Sequence, residues 1–371
     1  MQIKTITCHD VYNHGASLQA YALQTYLSSL GHDVEIIDYK PDYLSGHYSL
    51  RAVSNPKFDK PVVKQLYLLA KLPGRLAALK RKKKFDEFNR QYLHLSSLRY
   101  HSNEELKKNT PKADIYIAGS DQIWNTLFRN GRDPAFYLDF APKTARRITY
   151  AASFATKDVV EEYKTFVCNL LCGLDRISLR EKISLPLLKS LGRADGIAVC
   201  DPVFLLSQKQ WNNLLPETMQ NRKPYLLVYD TEGSLRLKNA AKKIAKQRDL
   251  IICNISANKL SYADKDYWSA GPLDFVRLIR DSEFVISNSF HATAFSLIFH
   301  REFCVVNRFE TINERMYSLL KQYGLQERML DGNIAIPTAP IEYSAVQKKI
   351  DADIAFSKQY LYEAISKKIE L

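Results

Sequence analysis

The stretch Ser287-Asn288-Ser289-Phe290-His291-Ala292-Thr293-Ala294-Phe295 combines residue types and spacing suited to acid–base chemistry. The short run Glu283-Phe284-Val285-Ile286 before it predicts a buried strand, and Ala294 to Phe299 after it predicts the apolar face of a helix. Ser287 to Ser289 then form a strand-to-helix turn with capping side chains, and His291 lies in the first helical turn. Unpaired backbone N–H groups and the positive end of the helix dipole favour an anion at such a place. A titratable imidazole beside an anion, at the carboxyl end of a strand, is placed for proton transfer. The plainer reading is a polar helix start with an exposed histidine.

The elements that must position this turn repeat along the chain. Ile3 to Thr7 reads as a strand, Cys8 to Ala16 as a polar loop holding Gly15, and Leu18, Leu23, Leu27 and Leu30 recur at helical spacing. Val34 to Asp38 returns as a second strand, completing the β-α-β unit from which doubly wound sheets are built. Asn13, His14 and Gly15 lead into that helix and form a candidate binding loop, without the G-x-G-x-x-G spacing of a dinucleotide site. Residues 41–110 read as a long basic excursion with helices near 61–73 and 78–92. Beyond it, Asp114 to Ala118 ends in Gly119-Ser120-Asp121, Ile148 to Ser153 ends in Ser153, and a helix follows near 158–172. Arg176 to Leu179 then leads to Arg180-Glu181, and Ile197 to Cys200 to Asp201-Pro202. Each apolar strand thus closes on a polar or charged residue, at the edge where open α/β sheets bind ligands. Trp124 is suited either to the core or to stacking on a sugar ring, and Arg180 to an ion pair with Glu181 or another acid.

A polar break at 216–224 separates an N-terminal α/β domain, 1–215, from a second one, 222–340. The second carries strands at Tyr225–Tyr229, Leu250–Asn254, 284–287 and Phe303–Val306, with helices at Ser234–Lys246 and Leu273–Arg280. Residues 341–371 predict one or two amphipathic helices.

Composition narrows the classes. At 371 residues there is chain enough for two cores, and no apolar run reaches the ~18–20 residues of a membrane span. The polar Met1–Asp10 segment is not a signal peptide, so a cytoplasmic protein with reduced thiols is expected. Cys168 and Cys172, one helical turn apart, fit a buried face better than a metal site, and no structural metal is expected. The net charge of +13 concentrates around Lys80-Arg81-Lys82-Lys83-Lys84, a run that reads first as a solvated helix and next as contact with an anionic membrane face. No zinc-finger or RNP-type motif supports a nucleic-acid partner.

Asn288-Ser289-Phe290-His291-Ala292-Thr293-Ala294-Phe295-Ser296 resembles the signature of the polysaccharide pyruvyltransferase family. Three further segments match in order: Asn13 to Ala20, Gly119-Ser120-Asp121-Gln122-Ile123-Trp124-Asn125, and Leu179-Arg180-Glu181 followed by Cys200-Asp201-Pro202. The resemblance spans roughly residues 1–330. It implies two Rossmann-like domains facing a cleft, the GT-B arrangement, and transfer of an enolpyruvyl unit from phosphoenolpyruvate to a sugar, forming a cyclic ketal and releasing phosphate. No cofactor beyond that donor is implied; the partners are a glycan or lipid-linked saccharide acceptor and the inner face of a membrane. By resemblance His291 is the active-site histidine, Arg180 a ligand of the donor's anionic groups, and Asp121 a base or acceptor ligand. Asn13, Gly15, Ser120, Asn288 and Ser289 fall within the matched segments as substrate-binding positions, and Ser153, the polar end of its own strand, is a further one. One departure stands out: many members carry arginine two residues before the histidine, where this chain has Ser289. Either a second cation comes from elsewhere, with Arg301, Arg308, Arg315 or a lysine available, or the donor differs. A nucleotide-sugar glycosyltransferase and a non-catalytic glycan-binding protein are the alternatives; the absence of a Gly-rich pyrophosphate loop in 222–310 weighs against the first.

Overall fold

A computed structural model describes residues 1–45, 61–217, 223–308, 314–330 and 336–366. The first half opens with β1 (Gln2–Ile6), α1 (His14–Ser29) and β2 (Asp33–Tyr39), then α2 (Asp42–Ser45) and α3 (Pro61–Tyr92). β3 (Leu95–Tyr100), α4 (Asn103–Lys108), β4 (Ile115–Ala118) and β5 (Arg146–Thr149) follow. The half closes with α5 (Lys164–Leu171), β6 (Ser178–Leu179), α6 (Leu185–Ser190), β7 (Ile197–Ala198) and α7 (Gln208–Asn212). Its parallel sheet runs β3-β2-β1-β4-β5, and single bridges from Ile148 to Arg176 and from Ala152 to Leu179 attach the β6-β7 pair.

The second half contributes β8 (Tyr225–Tyr229), α8 (Leu235–Arg248), β9 (Ile251–Asn254), β10 (Lys265–Asp266) and α9 (Pro272–Arg280). It continues with β11 (Phe284–Ser287), α10 (Phe290–Ile298), β12 (Glu302–Val306), α11 (Glu314–Tyr323), β13 (Met329–Leu330) and α12 (Tyr343–Ser366). Its parallel sheet has the order β10-β9-β8-β11-β12-β13. Every residue of β4, β8 and β11 is buried, as expected of parallel strands covered on both faces. Both sheets reverse strand order at their centre, between β1 and β4 and between β8 and β11. Those switch points are where loops diverge and leave room for a ligand.

One continuous core joins the two sheets. Leu18 and Leu23 of α1, Trp211, Phe275 of α9 and Phe295 of α10 all belong to it. α10 is buried along almost its whole length, eight of nine residues, so it is covered on all sides rather than set at the surface. α12 returns to the first half: Ser357 Oγ accepts from the Cys200 N–H at 2.8 Å, and Tyr360 OH donates to the Thr149 carbonyl at 3.1 Å.

Several expectations are corrected. α1 begins at His14, so Gly15 lies in its first turn and not in a loop; Asn13 caps it, its Oδ1 accepting from the Ala16 N–H at 3.3 Å. The 41–110 excursion contributes β3, an edge strand of the first sheet, and α3 is one helix of 32 residues rather than two. A proline removes one hydrogen bond, which the many turns on either side outweigh. The strands expected to reach Ser153 and Cys200 end earlier, at Thr149 and Ala198, because the chain turns out of the ladder; Ala151 there has φ 55°. The C-terminal segment forms one helix, α12. Trp124 is fully buried and stacked on Tyr137 at 5.2 Å, so it is core. Cys172 is exposed, just past the end of the short α5. The basic run is not a simple solvated face: Arg81 is buried, its Nη1 donating to the carbonyls of Trp268 at 3.2 Å and Ala270 at 3.4 Å, while Lys84 pairs with Asp274 at 2.6 Å. That run therefore docks α3 against the second half.

Candidate active site

The loops at the carboxyl ends of the first sheet's strands converge on Arg180, which follows β6. Its Nε donates to Glu181 Oε1 at 2.8 Å and its Nη1 to Asp201 Oδ2 at 3.0 Å; Asp121 Oδ1 lies 3.8 Å away. The Phe290 ring covers its guanidinium at 4.4 Å. Burial pushes the Arg180 pKa down, but the charges of Glu181, Asp201 and Asp121 outweigh it and hold the group above its ordinary value. With the guanidinium pinned on these sides, only Nη2 has no hydrogen-bond partner.

Asp201 is the hinge of the cluster. Its Oδ2 accepts from Ser120 Oγ at 3.1 Å and from Arg180, and it faces His291 Nε2 at 3.5 Å; Oδ1 accepts the Val203 N–H at 3.1 Å. Burial pushes this carboxyl up, yet His291, Arg180 and the Val203 N–H together hold it well below the usual carboxylate range. Asp201 is thus ionised and oriented toward the imidazole. Ser153 does for Glu181 what Ser120 does for Asp201, donating from Oγ to Oε1 at 2.8 Å. Asp121 is the most open of the three acids, its side chain 16% exposed against 2% and 0% for Glu181 and Asp201. Its φ of 73° is a left-handed conformation that a non-glycine residue rarely holds.

His291 arrives from the other half, on the first turn of α10. It is buried, against the plainer expectation of an exposed histidine, and its Nε2 makes no hydrogen bond. It packs on Gly15 so closely that a Cβ built there would stand 1.9 Å from His291 Nδ1. The glycine in the first turn of α1 is thus the floor of the imidazole pocket. The site forms only where the two halves meet.

A polysaccharide pyruvyl transferase family model matches residues 13–308, about four fifths of the chain, and covers both halves of this cluster. The chain belongs to that family. It is therefore a transferase of polysaccharide pyruvylation. No individually curated protein matches the chain in sequence. Among solved structures it is similar to a protein described as a UDP-N-acetylglucosamine 2-epimerase from Listeria monocytogenes, with a TM-score of 0.52 and 9% identity over 97% of this chain and 89% of that one. The UDP-GlcNAc 2-epimerase from Methanocaldococcus jannaschii aligns with a TM-score of 0.48 and 11% identity over 98% of this chain and 100% of that one. At such identities the likeness is one of fold: two Rossmann-like units facing a cleft, the GT-B arrangement.

Of the positions singled out in the sequence, His291, Arg180, Asp121, Ser120 and Ser153 join one network, and Gly15 shapes it. Asn13 is exposed and spent on capping α1. Asn288 ties two loops of the second sheet together, its Oδ1 accepting from the Thr231 N–H at 3.0 Å and its Nδ2 donating to Asp230 at 2.9 Å. Ser289 occupies the N-cap position of α10 without a side-chain capping bond. Two residues of the cluster carried no role in the sequence reading, Asp201 and Phe290. Asp201 stands after an apolar run just as Asp121 does, and that pattern was the signal for it.

Proposed function

We propose that this transferase moves the enolpyruvyl unit of phosphoenolpyruvate to a sugar of a surface-glycan precursor and closes it into a cyclic ketal. The observation that carries this reading is the buried pairing of His291 with Asp201 beside Arg180. One acceptor hydroxyl adds to carbon 2 of the donor while carbon 3 takes a proton; a second hydroxyl then displaces phosphate from carbon 2. Atoms balance: the two hydroxyl protons end on carbon 3 and on the released phosphate. His291 suits the proton donor to carbon 3, because its buried imidazole is the titratable group that faces Asp201, at 3.5 Å, beside Arg180. Arg180 is suited to the donor's anionic groups. Asp121, the most open carboxylate, is suited to accept the proton of a sugar hydroxyl. No metal or cofactor enters this scheme, and a lipid-linked acceptor would bring the reaction to the cytoplasmic membrane face.

The fold likeness to a UDP-sugar epimerase favours a second reading, use of a nucleotide sugar. Against it, the turn after β8 is already filled by a carboxylate: Asp230 accepts the N–H groups of Glu232 and Gly233 at 3.0 Å and of Ser234 at 2.6 Å. Such a nest of N–H groups would otherwise cradle a diphosphate. The test is a melting curve with phosphoenolpyruvate, with UDP-sugars and with buffer, then phosphate release for His291→Asn. A ligand at ~100 times its Kd adds about 2.7 kcal/mol to the native state. Asn should bind the donor and lose roughly 10²–10⁴ in turnover. A shift with UDP-sugars alone, or near-normal turnover, would overturn the reading.

A further inference from the structure

Arg315, near the start of α11, is a buried cation without a counter-ion among the described residues. It is 6% exposed, and it forms no ion pair among the described residues. Its Nε is buried with no hydrogen-bond partner. Its remaining donors meet only a neutral group: with the Gln122 amide turned so that oxygen faces the guanidinium, Oε1 accepts from Nη1 at 2.9 Å and Nη2 at 3.3 Å. Burial and the charge of Arg180 push its pKa down to about 10, while Asp121 and Glu181 act on it in the other direction without pairing with it. Leaving a guanidinium in this state is costly, and a protein retains such a group where a ligand brings the missing charge.

The position of Arg315 says which ligand. It lines, together with Arg180, Glu181, Asp201 and Phe290, a cavity of about 20 Å³. That is room for one water-sized group, such as a single oxygen of an anion. Arg180, which lines the same cavity, carries a second buried guanidinium nitrogen without a hydrogen-bond partner, Nη2. On its other side Arg315 also borders a cavity of about 230 Å³ with Thr156, Glu181 and Ser184. The other arginines open to the role are committed. Arg301 donates to the carbonyls of Phe299 at 2.9 Å and Ser282 at 3.2 Å, and Arg308 pairs with Glu232 at 2.6 Å.

We propose that Arg180 and Arg315 form a two-guanidinium anion site, and that Arg315 supplies the second cation for which position 289 offers only a serine. The anion is a carboxylate or phosphate group; that it belongs to phosphoenolpyruvate rests on the function proposed above. On binding, Arg315 exchanges the neutral Gln122 amide for a charge-assisted pair, the stronger kind of hydrogen bond.

The test uses the full chain with Arg315→Gln and Arg315→Lys. Melting temperature is read without ligand, with inorganic phosphate, with phosphoenolpyruvate and with a UDP-sugar, and donor affinity is read by calorimetry. Arg315→Gln should melt at or above the wild-type temperature when free, because a lone buried charge has been removed. Its affinity for phosphoenolpyruvate should fall roughly 10- to 100-fold, the usual worth of hydrogen bonds to a charged group, and the phosphate-induced shift should vanish. Arg315→Lys keeps the charge without the fork and should recover part of the affinity. A free Arg315→Gln protein that melts several degrees lower with unchanged affinity would make Arg315 a structural tether to Gln122 and overturn the proposal. So would wild-type protein that binds none of the anions. If the wild type binds only the UDP-sugar and loses it on Arg315→Gln, the anion site stands and the phosphoenolpyruvate reading falls. If phosphoenolpyruvate binds equally to both proteins, the donor reading stands and the anion site falls.

Discussion

Gly15→Ala adds one methyl group and should separate catalysis from folding. The new Cβ would lie 1.9 Å from His291 Nδ1, 2.2 Å from its Cγ and 2.5 Å from its Cε1, whereas ordinary contact begins near 3.4 Å. The imidazole must therefore retreat by about 1.5 Å, the difference between the contact distance and the shortest of these. His291 Nε2 already stands 3.5 Å from Asp201, so a shift of that size disrupts the pair. Misplacing a reacting group by about 1 Å costs about 10²-fold in rate. Stability should move far less. Gly15 lies within α1, where alanine gains about 1 kcal/mol over glycine, and this offsets part of the ~1–3 kcal/mol cost of overpacking. The assay is phosphate release with donor and acceptor, alongside urea denaturation of both proteins. A variant that keeps its rate within about threefold would refute the claim that Gly15 sets the histidine. A variant that loses most of its stability with its rate would reduce Gly15 to a packing residue.

Two further outcomes follow from buried cations and imidazoles at the same interface. His14 is fully buried, stacked on Phe275 at 4.7 Å, accepting from Tyr229 OH at 3.3 Å and donating to the Ala270 carbonyl at 3.1 Å; burial, then the charge of Arg81, push its pKa well below 6.5. The unfolded chain takes up a proton below about pH 6.5 that the folded chain refuses, so stability falls as pH drops through that value, by about 1.4 kcal/mol per unit. Urea midpoints from pH 7.5 to 5.5 should show a slope that His14→Phe flattens; an unchanged slope in the variant would exclude His14 as its source. For the basic helix, Lys80→Gln with Lys83→Gln should weaken binding to anionic vesicles by about 1 kcal/mol per charge at constant Tm. Arg81→Gln should instead cost roughly 1.5–3 kcal/mol of stability, because it removes the charged donor from the Trp268 carbonyl and leaves the Ala270 carbonyl with His14 alone. Equal binding of all variants to neutral vesicles would remove the membrane from the account.

The strands and the turn before His291 were legible because parallel strands covered on both faces read as apolar runs, and β4, β8 and β11 are such runs. β3 was not legible: Leu95-Ser-Ser-Leu-Arg-Tyr100 lies at a sheet edge, with only its last residue buried, and carries neither a continuous nor an alternating apolar pattern. The polar end of each strand was readable as a candidate site position, but not its use. Ser120 and Ser153 look alike in sequence to substrate ligands, and only the fold shows each holding one carboxylate. Asn13 and Asn288 were read by their polarity, whereas both are consumed by backbone groups that need a partner. The contact between Gly15 and His291 joins residues 276 positions apart along the chain, and no local pattern encodes it.

That long-range contact explains how a buried ionic cluster survives. A group such as Asp201 or Arg180, taken out of water, is tolerated only when opposing charges and hydrogen bonds meet it in place. The first half supplies the three acids, Arg180 and the two serines, a set that carries net negative charge by itself. From the second half, His291 on α10 faces Asp201, Arg315 on α11 borders the cluster without pairing with its acids, and Phe290 covers the Arg180 guanidinium. Docking of α10 against α1 is therefore what completes the electrostatics of the site. Outside the cluster the same two halves are held together by His14 of α1 against Phe275 of α9 and by Arg81 of α3 against the Ala270 carbonyl. In this chain the interface between the two sheets and the candidate active site are one structure.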